Sequence, residues 1–420
     1  MVIALIGVLH VIISHGMGVG GSFFLVVLEY KSIREKNQRL NEVAYRLARW
    51  FFIVTTGVGA LTGVGMWFSP QIFSPAGIGS LLRLFFWVWF FEWGVFVAEL
   101  LLVSAYYLSW KRMTPEKHLR LGVTYAVTSF FTLLAIVGIL GFQLTPGRWL
   151  ETRSFWPAYF NPTYIPQVVS RMTLAGVLAC SFGLLIFSAM RKNYQDVRPE
   201  FLRFCGKYFL FVTPVYLFAT IAYYQLLPAK AGEFIQVALM TLRLTQYAHY
   251  SKLFFFVVAG LLFLAGLVLY STRKSYGILS VLPFILLAIG VVQYERVREF
   301  SRKPYVINEY MYSNGIRKNE APYLSSEGVL KYHSWAQRGA PGGPAVSAGN
   351  AVYLIECSIC HTYTGVNGVF NKGAIIGTKE AALQFLDTMN FTHPYMPPFV
   401  GTQEEKEALA GFLSEGISRR

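Results

Sequence analysis

Eight apolar stretches, near 2–29, 47–68, 81–109, 120–143, 165–190, 207–227, 249–271 and 277–296, dictate what this chain can become. Each is long enough to cross about 30 Å of hydrocarbon as a helix. In lipid, only helices satisfy their own backbone without closing a barrel. The expected fold class is therefore all-α, a polytopic transmembrane bundle of about eight spans. A mean hydropathy of +0.44 with only 14% charged residues excludes an ordinary soluble globule. The first stretch, Met1 to about Glu29, is too long for a signal-peptide core and lacks a cleavage motif, so no cleavable leader is expected.

The net charge of +15 raises the question of nucleic-acid binding, and its location answers it. From Arg317 onward basic and acidic residues balance at nine each, leaving 28 basic against 13 acidic in the apolar part. There the cations lie in alternate loops: Lys31, Arg34, Lys36, Arg39 and Arg46; then Lys111, Arg112, Lys117 and Arg120; then Arg191, Lys192, Arg198, Arg203 and Lys207; then Arg273 and Lys274. The loop 69–80 has no charge. Cations on one side of a membrane set orientation, which places these loops in the cytoplasm and the N-terminus outside. The excess charge is thus topological, and nucleic acid is not an expected partner.

Beyond the spans, Cys357-Ser358-Ile359-Cys360-His361 is a C-x-x-C-H sequence. Two thiols at this spacing reach the two vinyl carbons of one haem, and the next His supplies an axial nitrogen. C-x-x-C alone also suits a redox disulfide or half a zinc site. The adjacent His, the lack of a second Cys pair and Met396, 35 residues after His361, favour one covalent haem c with a Met sixth ligand. Cys180 and Cys205 lie in or beside apolar segments and read as packing thiols. Eight spans return the chain to the outside, where haem c is attached in bacteria. The expected location is the bacterial cytoplasmic (inner) membrane, with the N-terminus and the cytochrome domain periplasmic.

The chain then divides into a transmembrane haem-binding bundle, 1–304, a polar periplasmic linker, 305–343, ending in a Gly/Pro cluster, and a small all-α cytochrome c domain, 344–420. In that domain a helix from Gly349 leads into the C-x-x-C-H, a loop carries His393 and Met396, and a closing helix runs from about Gln403 to Ser414. Thr402 and Glu405 form a capping-box pattern for that helix.

Charges at bilayer depth are costly and call for a reason. His10 and His15 in span 1 project about 140° apart on an ideal helix and so face different partners. His10 reads as a ligand of a buried haem; for His15, a propionate or helix–helix hydrogen bond stands beside ligation. Glu92 and Glu99 in span 3, seven apart on nearly one face, suit a proton relay or buried neutral acids. His249 opens span 7. Glu295, Arg296, Arg298, Glu299, Arg302 and Lys303 close span 8, as a solvated helix end or as partners of haem propionates.

The run EFSRKPYVINE (299–309) resembles the signature of cytochrome bd oxidase subunit I, usually E-x-G-R-Q-P-W-x-x-x-E. Glu299, Arg302, Pro304 and Glu309 match; Lys303 and Tyr305 replace Gln and Trp. Span 1, with His10, Gly18, Gly20, Gly21 and Glu29, and span 3, ending Glu99-(x)10-Trp110, resemble that family's first and third helices. The likeness extends to about residue 316. It implies His10 as ligand to one haem of an active-site pair and Glu299 as ligand or close partner of the other. It also implies Arg302 on a propionate, Glu99 on the proton path, about two non-covalent haems (b and/or d), and a related membrane subunit as partner. The family's second carboxylate falls on Phe91, beside Glu92. Its low-spin haem ligands fall on Met172 and near Phe256, so a low-spin haem would need exchanged ligands, Met172 and His249. Only about 21 residues, 228–248, join spans 6 and 7, where the family has a long quinol-binding loop.

Two functions follow. The first is an oxidoreductase, a bd-like respiratory oxidase subunit that passes electrons from a periplasmic cytochrome c-type donor through haem c to a buried haem pair and oxygen. The second is a non-catalytic electron-transfer subunit linking a periplasmic redox enzyme or cytochrome network to membrane quinone.

Overall fold

A computed structural model describes residues 2–228, 250–272, 277–338, 346–365 and 367–418. Among these, eight helices are long and apolar enough to cross a membrane: Leu5–Arg34, Gln38–Phe73, Phe86–Ser109, Pro115–Leu144, Tyr164–Asn193, Arg198–Gln225, Leu253–Ser271 and Ile278–Ser301, called spans 1 to 8. The all-α bundle expected from the apolar pattern is the fold observed.

Several spans outrun their apolar stretches. Span 2 starts at Gln38 instead of about 47, with the Asn37 side chain accepting from Leu40 N at 2.9 Å. Its polar first turns still bury Leu40, Val43, Ala44 and Leu47, while Arg39 reaches Asp196 at 3.0 Å. An amphipathic helix can leave the hydrocarbon this way without losing its packing face.

The chain forms two compact units, 1–69 with 81–301, and 70–80 with 302–420. In the first, spans 1 and 5 are the most buried and spans 2 and 3 the least. Spans 1 and 5 approach closely because Gly20 has no side chain: a Cβ there would lie 2.0 Å from the Ala175 carbonyl oxygen. Span 1 is wound as a π-helix over Ser14–Val19, as is span 2 over Thr55–Gly59. Such segments are frequent at functional sites.

The second unit corrects the expected linker. Residues 305–338 fold, with an antiparallel ribbon of Tyr305–Ile307 and Met311–Tyr312, then a helix at Ala321–Glu327. Ile316, Leu324, Val329 and Ala336 are buried in one core with residues of helices Ala348–Glu356, Lys379–Thr392 and Gln403–Ser418. These apolar residues are too isolated in sequence to show a period, and their packing surface comes from a distant segment. Residues 339–345, which hold the Gly/Pro cluster, lie outside the described residues. Gly349 lets helices Ala348–Glu356 and Gln403–Ser418 cross, since its Cβ would meet the Ala408 carbonyl oxygen at 2.1 Å. The Thr402–Glu405 capping box forms as expected: Glu405 Oε2 accepts from Thr402 N at 3.0 Å, and Thr402 Oγ1 accepts from Glu405 N at 3.3 Å.

Candidate functional site

The C-x-x-C-H segment leaves helix 348–356 as a tight turn, with Cys360 N and His361 N both donating to the Cys357 carbonyl. Cys357 and Cys360 are free thiols, Cys357 half-buried and Cys360 exposed. Burial pushes the Cys357 thiol above its ordinary pKa, the opposite of what a redox dithiol nucleophile requires. No group of three or more His, Cys, Asp or Glu residues that could hold a metal ion occurs among the described residues, so the half-zinc-site reading gains no partner there.

The ring of His361 is oriented for ligation. Its Nδ1 donates to the Asn367 carbonyl at 3.1 Å, leaving Nε2 as the acceptor nitrogen. Burial lowers the His361 pKa, which favours the neutral, ligating form. Asn367 Nδ2 also donates to the Cys360 carbonyl at 2.8 Å, and the Tyr353 hydroxyl donates to the His361 carbonyl at 2.8 Å. Met396 is half-buried in the loop between helices 379–392 and 403–418, its N–H on the His393 carbonyl. The His393 ring nitrogen contacts Thr392 Oγ1 at 3.0 Å. This donor set fits a covalent haem with His361 as one axial ligand.

In the bundle, His10 and His15 do face different partners. His10 Nδ1 lies 3.2 Å from Thr62 Oγ1, whose hydroxyl is in reach of the Val58 and Gly59 carbonyls at 2.8 and 3.0 Å. With its proton on those carbonyls, Thr62 accepts from His10, and Nε2 is left for a metal. His15 is fully occupied differently. Its Nε2 lies 3.5 Å from Arg171 Nη1, which can only donate, and its Nδ1 3.4 Å from Ser14 Oγ.

Arg171 then opens a buried ionic chain that the sequence reading missed. Its Nη2 donates to Glu295 Oε1 at 3.1 Å, and Arg298 Nε donates to Glu295 Oε2 at 2.8 Å. Around it, Arg171 Nε and both amide atoms of Gln167 are buried without a hydrogen-bond partner. Unmet buried polar groups of this kind fit a polar partner such as a haem propionate. Arg171 was legible only as a charge within span 5, one residue before Met172.

Met172 points elsewhere, packing against the apolar cluster of Val19, Leu133, Val137, Tyr164, Val168 and Ala175. Phe256 is 49% exposed, and His249 lies outside the described residues. The pairing of Met172 with His249 therefore falls outside the described residues. Glu299 is half-buried at the end of span 8, and Arg302 is half-buried at the start of the second unit.

Glu99 is buried and accepts from Ser129 Oγ at 2.7 Å and Thr132 Oγ1 at 3.2 Å; Glu92 is half-buried two turns away. Near the other end of span 3, Glu29 and His118 form a second buried cluster with Tyr106, also unread in the sequence. Its signal was a lone Glu and a lone His at the edges of spans 1 and 4.

The family model described as cytochrome bd terminal oxidase subunit I matches residues 1–228. Among solved structures, that of bd oxidase from Geobacillus thermodenitrificans is similar, with a TM-score of 0.58 and 16% identity over 73% of this chain and 88% of that one. At that identity the likeness is one of fold. No curated protein matches the chain.

Proposed function

Since the chain belongs to the cytochrome bd terminal oxidase subunit I family, we propose that it is the haem-bearing subunit of a bd-like oxidase whose electron port is its own C-terminal cytochrome c domain. The observation that carries the finer reading is the C-x-x-C-H turn, with two free thiols and a His361 ring anchored through Nδ1. Bound haem supplies the one-electron steps and the reduction of oxygen to water.

The chain's own residues hold and tune these groups. Cys357 and Cys360 would carry haem c through thioethers, and His361 and Met396 are the side chains that would hold its iron. His10 presents Nε2 to one of two non-covalent haems (b and/or d), and Glu299 sits beside the other. The Arg171–Glu295–Arg298 chain sets the charge around propionates in the bundle, and the family resemblance assigns Arg302 to a propionate. Glu99, held by two hydroxyls, passes protons from the cytoplasmic side toward the haems with Glu92. The bundle 1–304 lies in the bacterial inner membrane with basic loops in the cytoplasm, and the cytochrome domain is periplasmic, including residues 305–338 in its folded body. The weakly buried faces of spans 2 and 3, with Trp87, Phe90 and Trp93 exposed, suit a second, related membrane subunit.

A non-catalytic electron-transfer role has one observation in its favour, the apolar surroundings of Met172 where the family places a haem ligand. Carbon monoxide separates the two: an oxidase has a ligand-binding haem, a wire does not. Donor identity is tested by stopped-flow reduction of the membrane haems with a quinol and a reduced soluble cytochrome in turn. The comparison protein is Cys357→Ala/Cys360→Ala, because truncation at 344 would split the core shared with Ile316–Ala336. Fast reduction by the cytochrome, lost in the variant, is expected. Equally fast quinol reduction in the variant would overturn the assignment.

A further inference from the structure

Spans 3 and 4 run antiparallel through a short basic loop and carry matched polar ladders. On span 3, Glu92, Glu99 and Tyr106 recur every seven residues; on span 4, His118, Tyr125, Ser129 and Thr132 share one face. The rungs meet. Glu99 takes hydrogen bonds from Ser129 and Thr132. The Tyr106 ring lies 6.1 Å from that of Tyr125 and stacks on His118 at 4.6 Å. From Glu92 to Tyr106 the ladder rises about 21 Å, some two-thirds of the hydrocarbon thickness.

The lower end of this ladder closes on Glu29 of span 1. Glu29 Oε1 is 2.6 Å from His118 Nδ1, and Glu29 Oε2 accepts from the Tyr106 hydroxyl at 2.7 Å. His118 Nε2 must donate to the Tyr106 carbonyl, 2.8 Å away, because a carbonyl can only accept. That fixes one imidazole proton and leaves a single exchangeable proton between Nδ1 and the carboxyl. Both side chains are 2% exposed. Trp110 covers them, its ring 4.5 Å from His118 and its Nε1 bonded to Asn41 Oδ1 at 3.0 Å. Lys111, Arg112, Lys117 and Arg120 surround this end in the sequence.

A buried acid–base pair is a poor way to stabilise helices, since apolar residues of the same volume usually do as well or better. We propose that Glu29 and His118, with Tyr106, form the proton-loading site at the basic-loop end of a relay whose next stations are Tyr125, Ser129 and Glu99. This deepens the oxidase reading and rests on it. A proton from the aqueous side enters between His118 and Glu29. The Tyr106 and Tyr125 hydroxyls and Ser129 each accept one proton and release another, so each ends as it began, and Glu99 receives the net proton.

The test is proton uptake by the full haem-loaded complex, followed with a pH-sensitive dye after mixing the reduced protein with oxygen. Haem reduction by the donor is timed in parallel. His118→Ala leaves a space between the Tyr106 and Trp110 rings. It is expected to slow uptake at least tenfold, with donor-driven haem reduction unchanged, and added imidazole is expected to restore the rate. Glu29→Gln should slow uptake likewise, Glu29→Asp less, and His118→Gln, which keeps a donor for the Tyr106 carbonyl, should fold and remain slow. Normal uptake in His118→Gln and Glu29→Gln would overturn the proposal. So would slowing that imidazole fails to relieve and that tracks an equal loss of haem reduction, the mark of a structural bolt. No uptake in the unmodified complex would instead refute the oxidase reading itself.

Discussion

Glu405 fastens residues 305–338 to the C-x-x-C-H domain, and its removal has a calculable cost. Its Oε2 accepts from Val329 N at 2.9 Å and Thr402 N at 3.0 Å, and its Oε1 from Leu330 N at 2.9 Å. Gly328 (φ +90°) and Gly401 (φ +148°) make room for it; a Cβ at either would come within 2.8 Å of its oxygens. Glu405→Ala strands the Val329 and Leu330 amides in a buried site, while Thr402 N, at a helix start, can turn to water. At about 1–3 kcal/mol for each of the two stranded donors, the loss is roughly 2–6 kcal/mol. Because about 1.4 kcal/mol is a factor of ten, protection of the Val329 and Leu330 amides should fall by roughly 30-fold to 20,000-fold. Native-state hydrogen exchange of the full-length protein in detergent measures this directly. Glu405→Gln, keeping one acceptor oxygen, should lose about 1–3 kcal/mol. Unchanged exchange in Glu405→Ala would show that 305–338 is held by apolar packing alone, and the reasoning would fail.

Other outcomes are equally definite. Replacing Cys357 or Cys360 should abolish covalent haem, whereas Met396→Ala should keep it and lower its potential through loss of the thioether. An unchanged spectrum and potential in Met396→Ala would point to another sixth ligand, with His393 next in line. Glu356 is buried, with Asn314 Nδ2 on Oε2 at 2.8 Å, and burial holds its carboxyl well above the usual range. The folded state therefore keeps a proton that the unfolded state releases. Stability of the second unit should fall as pH rises from about 4.5, by about 1.4 kcal/mol per unit until the raised value is reached. Glu356→Gln should flatten that dependence, measured as the denaturation midpoint of the haem c band; an unaltered slope would exclude Glu356 as its source.

What could be read from the sequence was whatever is periodic or covalently spaced. Span number and the all-α bundle followed from apolar length, and the Thr402–Glu405 cap from its spacing. The His10 and His15 partners on different neighbours followed from helical phase, although the π-helical turn at 14–19 altered the local geometry. What stayed hidden depends on chain segments meeting across long separations. Arg171 with Glu295, 124 residues on, and Glu29 with His118, 89 residues on, have no local signature. The folded state of 305–338 was hidden for the same reason, since Val329 owes its satisfied amide to Glu405, 76 residues away.

The central claim, one covalent haem c in a chain whose bundle also bears haem, is tested most directly by haem extraction with pyridine haemochrome spectra. The account predicts one haem that resists acidic acetone, linked through Cys357 and Cys360, and at least two that are extracted, one of which binds carbon monoxide in the reduced protein. Covalent haem alone, with none extracted from the bundle, would contradict the oxidase reading; extractable haem alone would contradict the cytochrome c domain.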